Sequence, residues 1–183
     1  MAKWFFEPGH TEVEFRARHM MVTWVRGLFK NVTGSLDFDP ANPERIAFET
    51  RIEARTLWTG VEQRDEHLRS ADFLDVEHHP YITYKSTSAR PIGEVDYVVE
   101  GELTMRGVTK KVPLEVTYLG QWDTPWWEDG VNKGPKRRAG FTARTKIDRY
   151  DFGVNWNDEV ARGGVVVSPE ITLVIDVEAV RED

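Results

Sequence analysis

The sequence predicts an all-β fold in which about eight antiparallel strands close into one barrel. Apolar and polar residues alternate with a period of two in many segments, short turns separate most of these segments, and only one stretch has the pattern of a helix. Consecutive strands joined by short turns favour an antiparallel meander, because parallel crossovers would need a helix between most strands. A chain of 183 residues is the size of one domain, so we expect residues 1–183 to form a single barrel.

The predicted strands each have a polar face and an apolar face. In the first strand, from Thr11 to His19, the residues Val13, Phe15 and Ala17 share one face and charged residues share the other. The remaining strands are predicted at residues 31–38, 48–55, 81–88, 97–105, 112–119, 139–147 and 171–177. The apolar face of each strand is expected to point into the barrel.

A short helix is predicted between the third and fourth of these strands. It begins near Thr59, which can cap it, and continues through Leu68. Trp58, Phe73 and Leu74 flank the helix, and we expect them to pack on the barrel end as a lid or as ordinary satellite core.

Turn-forming residues mark two further points and a long irregular segment. The Asp39–Pro43 stretch indicates a turn, and Arg106-Gly107 indicates a tight hairpin. Residues 120–136 combine three tryptophans with Asp, Gly and Pro, which predicts a long Trp-rich loop or a hairpin extension.

The composition excludes several classes of function. A net charge of −7 would repel a nucleic-acid backbone, and the absence of cysteine excludes disulfides, thiolate nucleophiles and Cys-based metal sites. No apolar run approaches the roughly 20 residues that span a bilayer, so no transmembrane segment is predicted. The first residues lack the apolar core and cleavage site of a signal peptide, and we therefore expect a cytoplasmic protein.

The inward-facing residues bear on whether the barrel is hollow or filled. Small residues such as Ala17, Gly34 and Ala143 would leave room beside large ones such as Phe15, but the same pattern fits a packed barrel whose side chains interdigitate. A hollow apolar interior would suit a chain-like ligand, because each buried methylene contributes about 0.8 kcal/mol. In that case Ala17→Phe or Gly34→Leu should reduce lipid uptake and leave the fold intact.

Several motifs follow one another in an order typical of a known family. They are Pro8-Gly9-His10-Thr11-x-Val13-x-Phe15, His19-Met20, Val25-Arg26-Gly27-x-Phe29, Gly34-x-Leu36-x-Phe38-Asp39, the run from Gln63 to Val76 followed by Pro80, Gly101-x-Leu103-Thr104-Met105-Arg106-Gly107-Val108-Thr109, and Ile147-Asp148-Arg149-Tyr150-Asp151-Phe152-Gly153. Together they resemble the YceI-like polyisoprenoid-binding family across about residues 4–180.

The resemblance implies a lipocalin-like barrel that binds, stores or transports an amphiphilic lipid without catalysis, metal or cofactor. The ligand would be a polyprenyl diphosphate, an isoprenoid quinone tail or a similar molecule in an elongated apolar cavity. Many members are periplasmic, and a homodimer is the commonest oligomer by default. The residues expected to contact the ligand are Val13, Phe15, Ala17, His19, Met20, Phe29, Gly34, Leu36, Phe38, Phe48, Ile52, Trp58, Arg64, Phe73 and Tyr84. Among these, Arg64 would either reach a head group or fix the helix.

Three other interpretations stay open on the sequence alone. A lipid hydrolase would use His19 or His67 with a nearby carboxylate. A protein-interaction module would work through the Trp-rich segment, with a packed barrel; Trp122, Trp126 and Trp127 could contact a partner or a membrane surface, or fold back on the loop. A metal could be held by imidazole and carboxylate groups, although their spacing matches no strong motif. The residues in question are Asp65, His67, Asp75, His78 and His79.

Overall fold

Strands account for most of residues 2–182, which the computed structural model describes. The α-helix of these residues is α1 (Glu62–Arg69), and 3-10 turns lie at Pro43–Arg45, Ala54–Thr56, Arg149–Phe152 and Ala161–Gly163. The strands are β1 (Ala2–Phe6), β2 (Glu12–His19), β3 (Thr23–Phe29), β4 (Val32–Phe38), β5 (Ala47–Glu53), β6 (Tyr81–Pro91), β7 (Asp96–Met105), β8 (Val108–Lys111), β9 (Leu114–Glu128), β10 (Val131–Asp148), β11 (Glu159–Val160), β12 (Gly164–Val165) and β13 (Val167–Arg181). No helix within residues 2–182 has the length and apolar character needed to cross a membrane.

Eight of the strands form a closed barrel. Hydrogen bonds join β1, β4, β5, β6, β7, β9, β10 and β13 in this order, and β13 pairs back with β1, so the antiparallel ring closes. The strand β13 pairs with β1 near its end, at residues 179–181, and with β2 over residues 167–176. The strand β3 pairs with β2 and forms a hairpin with it. The all-β eight-stranded barrel predicted from the sequence is confirmed, as is the short helix between its third and fourth predicted strands, here β5 and β6.

The Trp-rich segment 120–136 is a β-hairpin, so the hairpin extension is present and the long loop, the other alternative from the sequence, is not. It belongs to β9 and β10, whose pairing continues to Glu128 and Val131. Between them Asp129 and Gly130 both have positive φ, at 50° and 76°. A two-residue turn with positive φ at both positions matches the right-handed twist of the flanking strands, so the Asp-Gly pair lets the strands run on beyond the barrel.

Other elements differ from the sequence prediction in detail. The Arg106-Gly107 turn is confirmed, because Met105 pairs with Val108 on either side of it. The strands β1, β3 and β8 were not predicted. In β1 the adjacent aromatic residues Trp4, Phe5 and Phe6 mask the period-two pattern, since apolar side chains occupy both faces.

The two ends of the barrel are closed in different ways. One end has an aromatic floor, defined by Trp4, Phe38, Tyr118 and Phe141, in which the Phe38 ring lies 5.0 Å from that of Phe141 and 4.9 Å from that of Tyr118. The other end is covered by a lid, defined as residues 62–79 (α1 and the turns after it) together with residues 149–157. The strand β10 runs from Phe141 in the floor to Ile147 beneath the lid, a span of about 20 Å at 3.3 Å per residue.

Candidate functional site: an apolar cavity inside the barrel

An internal cavity of about 210 Å³ lies between the floor and the lid. The surface that faces it is entirely apolar. This volume exceeds the roughly 150 Å³ of an engineered apolar cavity that stays dry and binds benzene. The barrel is therefore hollow, and the packed interior that residue parity left open does not apply.

Polar groups in the cavity wall turn away from the cavity and towards the backbone. The Tyr84 hydroxyl donates to the carbonyl oxygen of Val112 at 2.9 Å, and burial raises its pKa, so it stays a neutral donor. The Tyr84 ring stacks on Phe48 at 5.5 Å between centroids. Because its polar end is satisfied within the wall, Tyr84 presents only its ring to a ligand.

Many of the predicted ligand contacts line this cavity. They are Val13, Phe15, Ala17, Phe29, Leu36, Phe48, Ile52, Phe73 and Tyr84. The later strands contribute wall residues that the sequence analysis did not single out, although the same period-two pattern marks them. Among these are Ile82, Leu103, Met105, Leu114, Val116, Ala143, Ile147, Leu173 and Ile175.

Three predicted contacts lie outside the cavity because of backbone geometry near the lid. His19 is the last residue of β2, where it pairs with Thr23 and Val167. Met20 falls in the following turn and is exposed. The backbone of Trp58 exchanges hydrogen bonds with Leu28, at 2.9 and 3.0 Å, and this pairing leaves 57% of Trp58 exposed.

Two more predicted contacts, Gly34 and Phe38, are structural. Phe38 is fully buried in the floor, below the cavity. A Cβ atom on Gly34 would meet the carbonyl oxygen of Glu49 at 2.5 Å and the Phe6 ring at 2.8 Å. Gly34→Leu would therefore disrupt the strand pairing, which corrects the expectation that this substitution leaves the fold intact.

Arg64 fixes the start of the helix and does not line the cavity. Its Nε donates to the Thr59 hydroxyl at 2.7 Å, and its Nη2 donates to the Thr59 carbonyl at 3.1 Å. Thr59 does not cap α1, which begins three residues later at Glu62. Instead the Thr59 amide donates to the buried carboxylate of Asp65 at 2.9 Å, so Asp65 holds the preceding loop against the helix.

Arg149 clamps the second lid segment and was not predicted as a site residue. Only 3% of it is exposed, and its stem lines the cavity. The guanidinium donates to four carbonyl oxygens, those of Val154 at 2.7 Å, Trp156 at 2.8 Å, and Val167 and Ser168 at 3.0 Å each. Burial lowers its pKa, but an arginine side chain stays charged in proteins. These charge-assisted bonds hold the 154–168 backbone over the cavity mouth.

The two lid segments are locked together by an aromatic cluster and one arginine. The His67 ring lies 4.8 Å from that of Trp156 and 5.1 Å from that of Phe73. Arg106 donates to Ala71 in one segment and to Gly153 in the other, at 2.8 Å each. The lid predicted around Phe73 and Leu74 is thus present, and both residues line the cavity.

The candidate metal ligands from the sequence analysis do not come together at one point. They are Asp65, His67, Asp75, His78 and His79. His67 pairs with Asp72 at 2.8 Å and His78 with Asp75 at 2.9 Å, each within its own turn. Within residues 2–182 the donor atoms of Glu7, His10 and Glu178 do lie within 4.8 Å of one another. Arg138 already pairs with Glu178 there at 2.6 Å, so this is an ion-pair network on the outer wall.

The fold and the cavity have counterparts among known proteins. The model of the YceI-like domain matches residues 4–179. The chain belongs to the YceI-like family. Protein YceI of Escherichia coli O17:K52:H18 is 39% identical over 176 residues, which cover 96% of this chain and 84% of that protein.

Solved structures of YceI-like proteins have the same barrel. The Campylobacter jejuni YCEI protein is 27% identical, with a TM-score of 0.73 and coverage of 91% of this chain and 90% of that one. A polyisoprenoid binding domain from Saccharophagus degradans, implicated in plant cell wall breakdown, has a TM-score of 0.64 at 12% identity and covers 100% of this chain and 99% of that one. At 12% identity this likeness shows the fold alone.

Proposed function

We propose that this YceI-like barrel binds the tail of a polyisoprenoid or a similar amphiphilic lipid inside its cavity, for carriage or storage and without catalysis. The observation that carries the proposal is the entirely apolar cavity beneath the lid. Membership of the YceI-like family and the polyisoprenoid binding domain among the structural neighbours support it. The proposal assigns no reaction, metal or cofactor to the cavity.

The size and chemistry of the cavity favour a branched hydrocarbon tail. Burial of a tail contributes about 0.8 kcal/mol per methylene and needs no polar partner, which suits a wall without polar groups. If roughly 150 Å³ accommodates one benzene ring, then 210 Å³ accommodates about two isoprene units. A longer tail requires flexible wall residues such as Met105 to turn, or a tail end that passes the lid.

A chain-length series tests this proposal. Isoprenoid alcohols of about 5, 10, 15 and 20 carbons would displace an apolar fluorescent dye from the full-length protein, and native mass spectrometry would count the bound molecules. We expect one molecule per chain and an affinity that rises about fourfold for each added carbon up to about 10 carbons. Absence of binding, or an affinity that does not depend on chain length, would contradict the proposal.

A further inference from the structure

The turn between β2 and β3 displays three apolar side chains to solvent. Met20, Met21 and Val22 are 45%, 50% and 79% exposed. The φ angles of Met20 and Met21 are 46° and 62°, a left-handed conformation that favours Gly, Asn or Asp. The Val22 amide donates to His19 at 3.0 Å and the Met20 amide to Val166 at 2.8 Å, so the turn is fixed with its apolar side chains outward.

The strands behind this turn are cationic, in contrast to the rest of the chain. From Phe15 to Lys30 the sequence contains Arg16, Arg18, Arg26 and Lys30 but no Asp or Glu, whereas the whole chain has a net charge of −7. Arg16 lies directly opposite Arg26 in the strand register. Within the same hairpin Arg16 pairs with Glu14 at 2.8 Å and Lys30 pairs with Glu12, so residues 12–30 have four basic and two acidic side chains and a net charge of +2.

An aromatic residue lies between the cations and the apolar turn. The guanidinium of Arg18 stacks 4.9 Å from the centroid of the Trp24 ring, and the two residues are cross-strand partners. Along the hairpin, the Arg16–Arg26 pair is therefore followed by the Arg18–Trp24 pair and then by the apolar tip. This order matches the layers of a bilayer surface, where phosphates lie outside, aromatic rings occupy the interface and acyl chains lie below.

The hairpin tip lies next to the lid and not next to the floor. The Arg18 amide donates to the Ser168 hydroxyl at 2.9 Å, and the Ser168 carbonyl accepts one of the bonds from Arg149. A surface that contacts the tip would therefore also lie close to the part of the lid that Arg149 clamps.

We propose that the β2–β3 hairpin docks the lid end of the barrel onto an anionic lipid bilayer. Met20, Met21 and Val22 would enter the acyl boundary, Trp24 would lie at the interface, and Arg18 and Arg26 would face lipid phosphates. Charge complementarity favours this occupant for the hairpin itself, because its arginines attract anionic phosphates. Residues 62–79 of the lid contain six acidic and two basic residues, so the same surface repels them and the hairpin is the part that makes contact. The inference goes beyond cavity binding, since docking does not require an occupied cavity.

The Trp-rich hairpin is the competing surface and supplies the matched control. Trp122 and Trp127 are each 61% exposed, but they point to opposite faces of β9. The turn at its end carries Glu128 and Asp129, which an anionic surface repels, and the arginines of its second strand are already paired, Arg137 with Asp123 at 2.7 Å and Arg138 with Glu178 at 2.6 Å. Its two exposed tryptophans therefore do not share one face that could lie on anionic lipid.

Vesicle flotation with the full-length protein tests the proposal. We expect the unmodified chain to bind vesicles that contain phosphatidylglycerol, to bind phosphatidylcholine vesicles weakly, and to dissociate as salt is raised. Met21→Asp with Val22→Asp should weaken binding at least about tenfold, and the fold should persist because both sites are exposed and Asp tolerates the left-handed conformation at residue 21. Arg18→Gln with Arg26→Gln should weaken binding about fivefold per arginine and reduce its salt dependence.

The control variant combines Trp122→Ala with Trp127→Ala and should bind the vesicles like the unmodified chain. Three results would overturn the proposal. The unmodified chain does not bind the vesicles, the tip variants bind them as well as the unmodified chain, or the tryptophan variant loses binding. The chain-length series measures binding of isoprenoid alcohols in the cavity without vesicles. Failure of membrane docking and failure of binding in the cavity can therefore be told apart.

Discussion

Replacing Ala143 by Phe should fill the cavity from its wall. Ala143 lies midway along the cavity, where it pairs with Val116 on one side and Ile175 on the other, and all three side chains line the cavity. Since a cavity of roughly 150 Å³ holds one benzene ring, a phenyl group would take up most of the 210 Å³. It would leave room for less than one of the two isoprene units, so at least five carbons would be displaced, which is worth about 4 kcal/mol or roughly a thousandfold in affinity.

The assay is dye displacement by an isoprenoid alcohol of about 10 carbons, with a thermal melt to show that the barrel is folded. Thr142→Phe is the matched control, because Thr142 is the neighbouring residue on the same strand and its side chain points out of the barrel. We expect the control to bind like the unmodified chain. If Ala143→Phe folds and retains the original affinity to within about twofold, the tail does not bind in this cavity and the reasoning fails.

Two further predictions concern how the wall and the lid are held. Gly101→Ala should lower the free energy of unfolding by about 1–3 kcal/mol, since the new Cβ would lie 2.3 Å from Tyr84 Cζ, and an unchanged urea midpoint would contradict this. Arg149→Met keeps the stem but removes the hydrogen bonds to four carbonyls, so amides in residues 154–168 should exchange with solvent much faster while those in β4 keep their protection. Equal protection of 154–168 in both proteins would show that Arg149 does not hold the lid.

Much of the barrel could be predicted because alternation acts through local geometry. In β2 the residues Val13, Phe15 and Ala17 were assigned to one face from the sequence, and all three line the cavity. For the extension of β9 and β10 the sequence analysis left a loop and a hairpin open, although the Asp129-Gly130 turn is a strong hairpin signal. The Trp, Gly and Pro content of the segment is typical of a loop, so composition and the two-residue turn motif pointed to different structures.

The lid residues were harder to predict, because their roles depend on contacts between distant segments. Arg149 follows a strand that ends beneath the lid, and its partners lie in residues 154–168, so no local pattern distinguishes it from an exposed arginine. Arg64 was considered for a head group, yet its partner Thr59 lies five residues away. For both side chains the sequence gives the charge but not the direction in which it points.

The inward glycines show why parity alone could not decide the volume of the barrel. Beside Gly27, Gly34 and Gly101 there is no free space, because the rings of Phe15, Phe6 and Tyr84 lie against them, within 2.3–2.8 Å of where a Cβ would be. All three rings nevertheless line the cavity. A ring that lies flat over a glycine extends less far into the lumen than one held off by a side chain, so each glycine makes room indirectly. The hollow interior thus depends on pairs of a glycine and an aromatic residue from neighbouring positions of the sheet, a relation that no single strand contains.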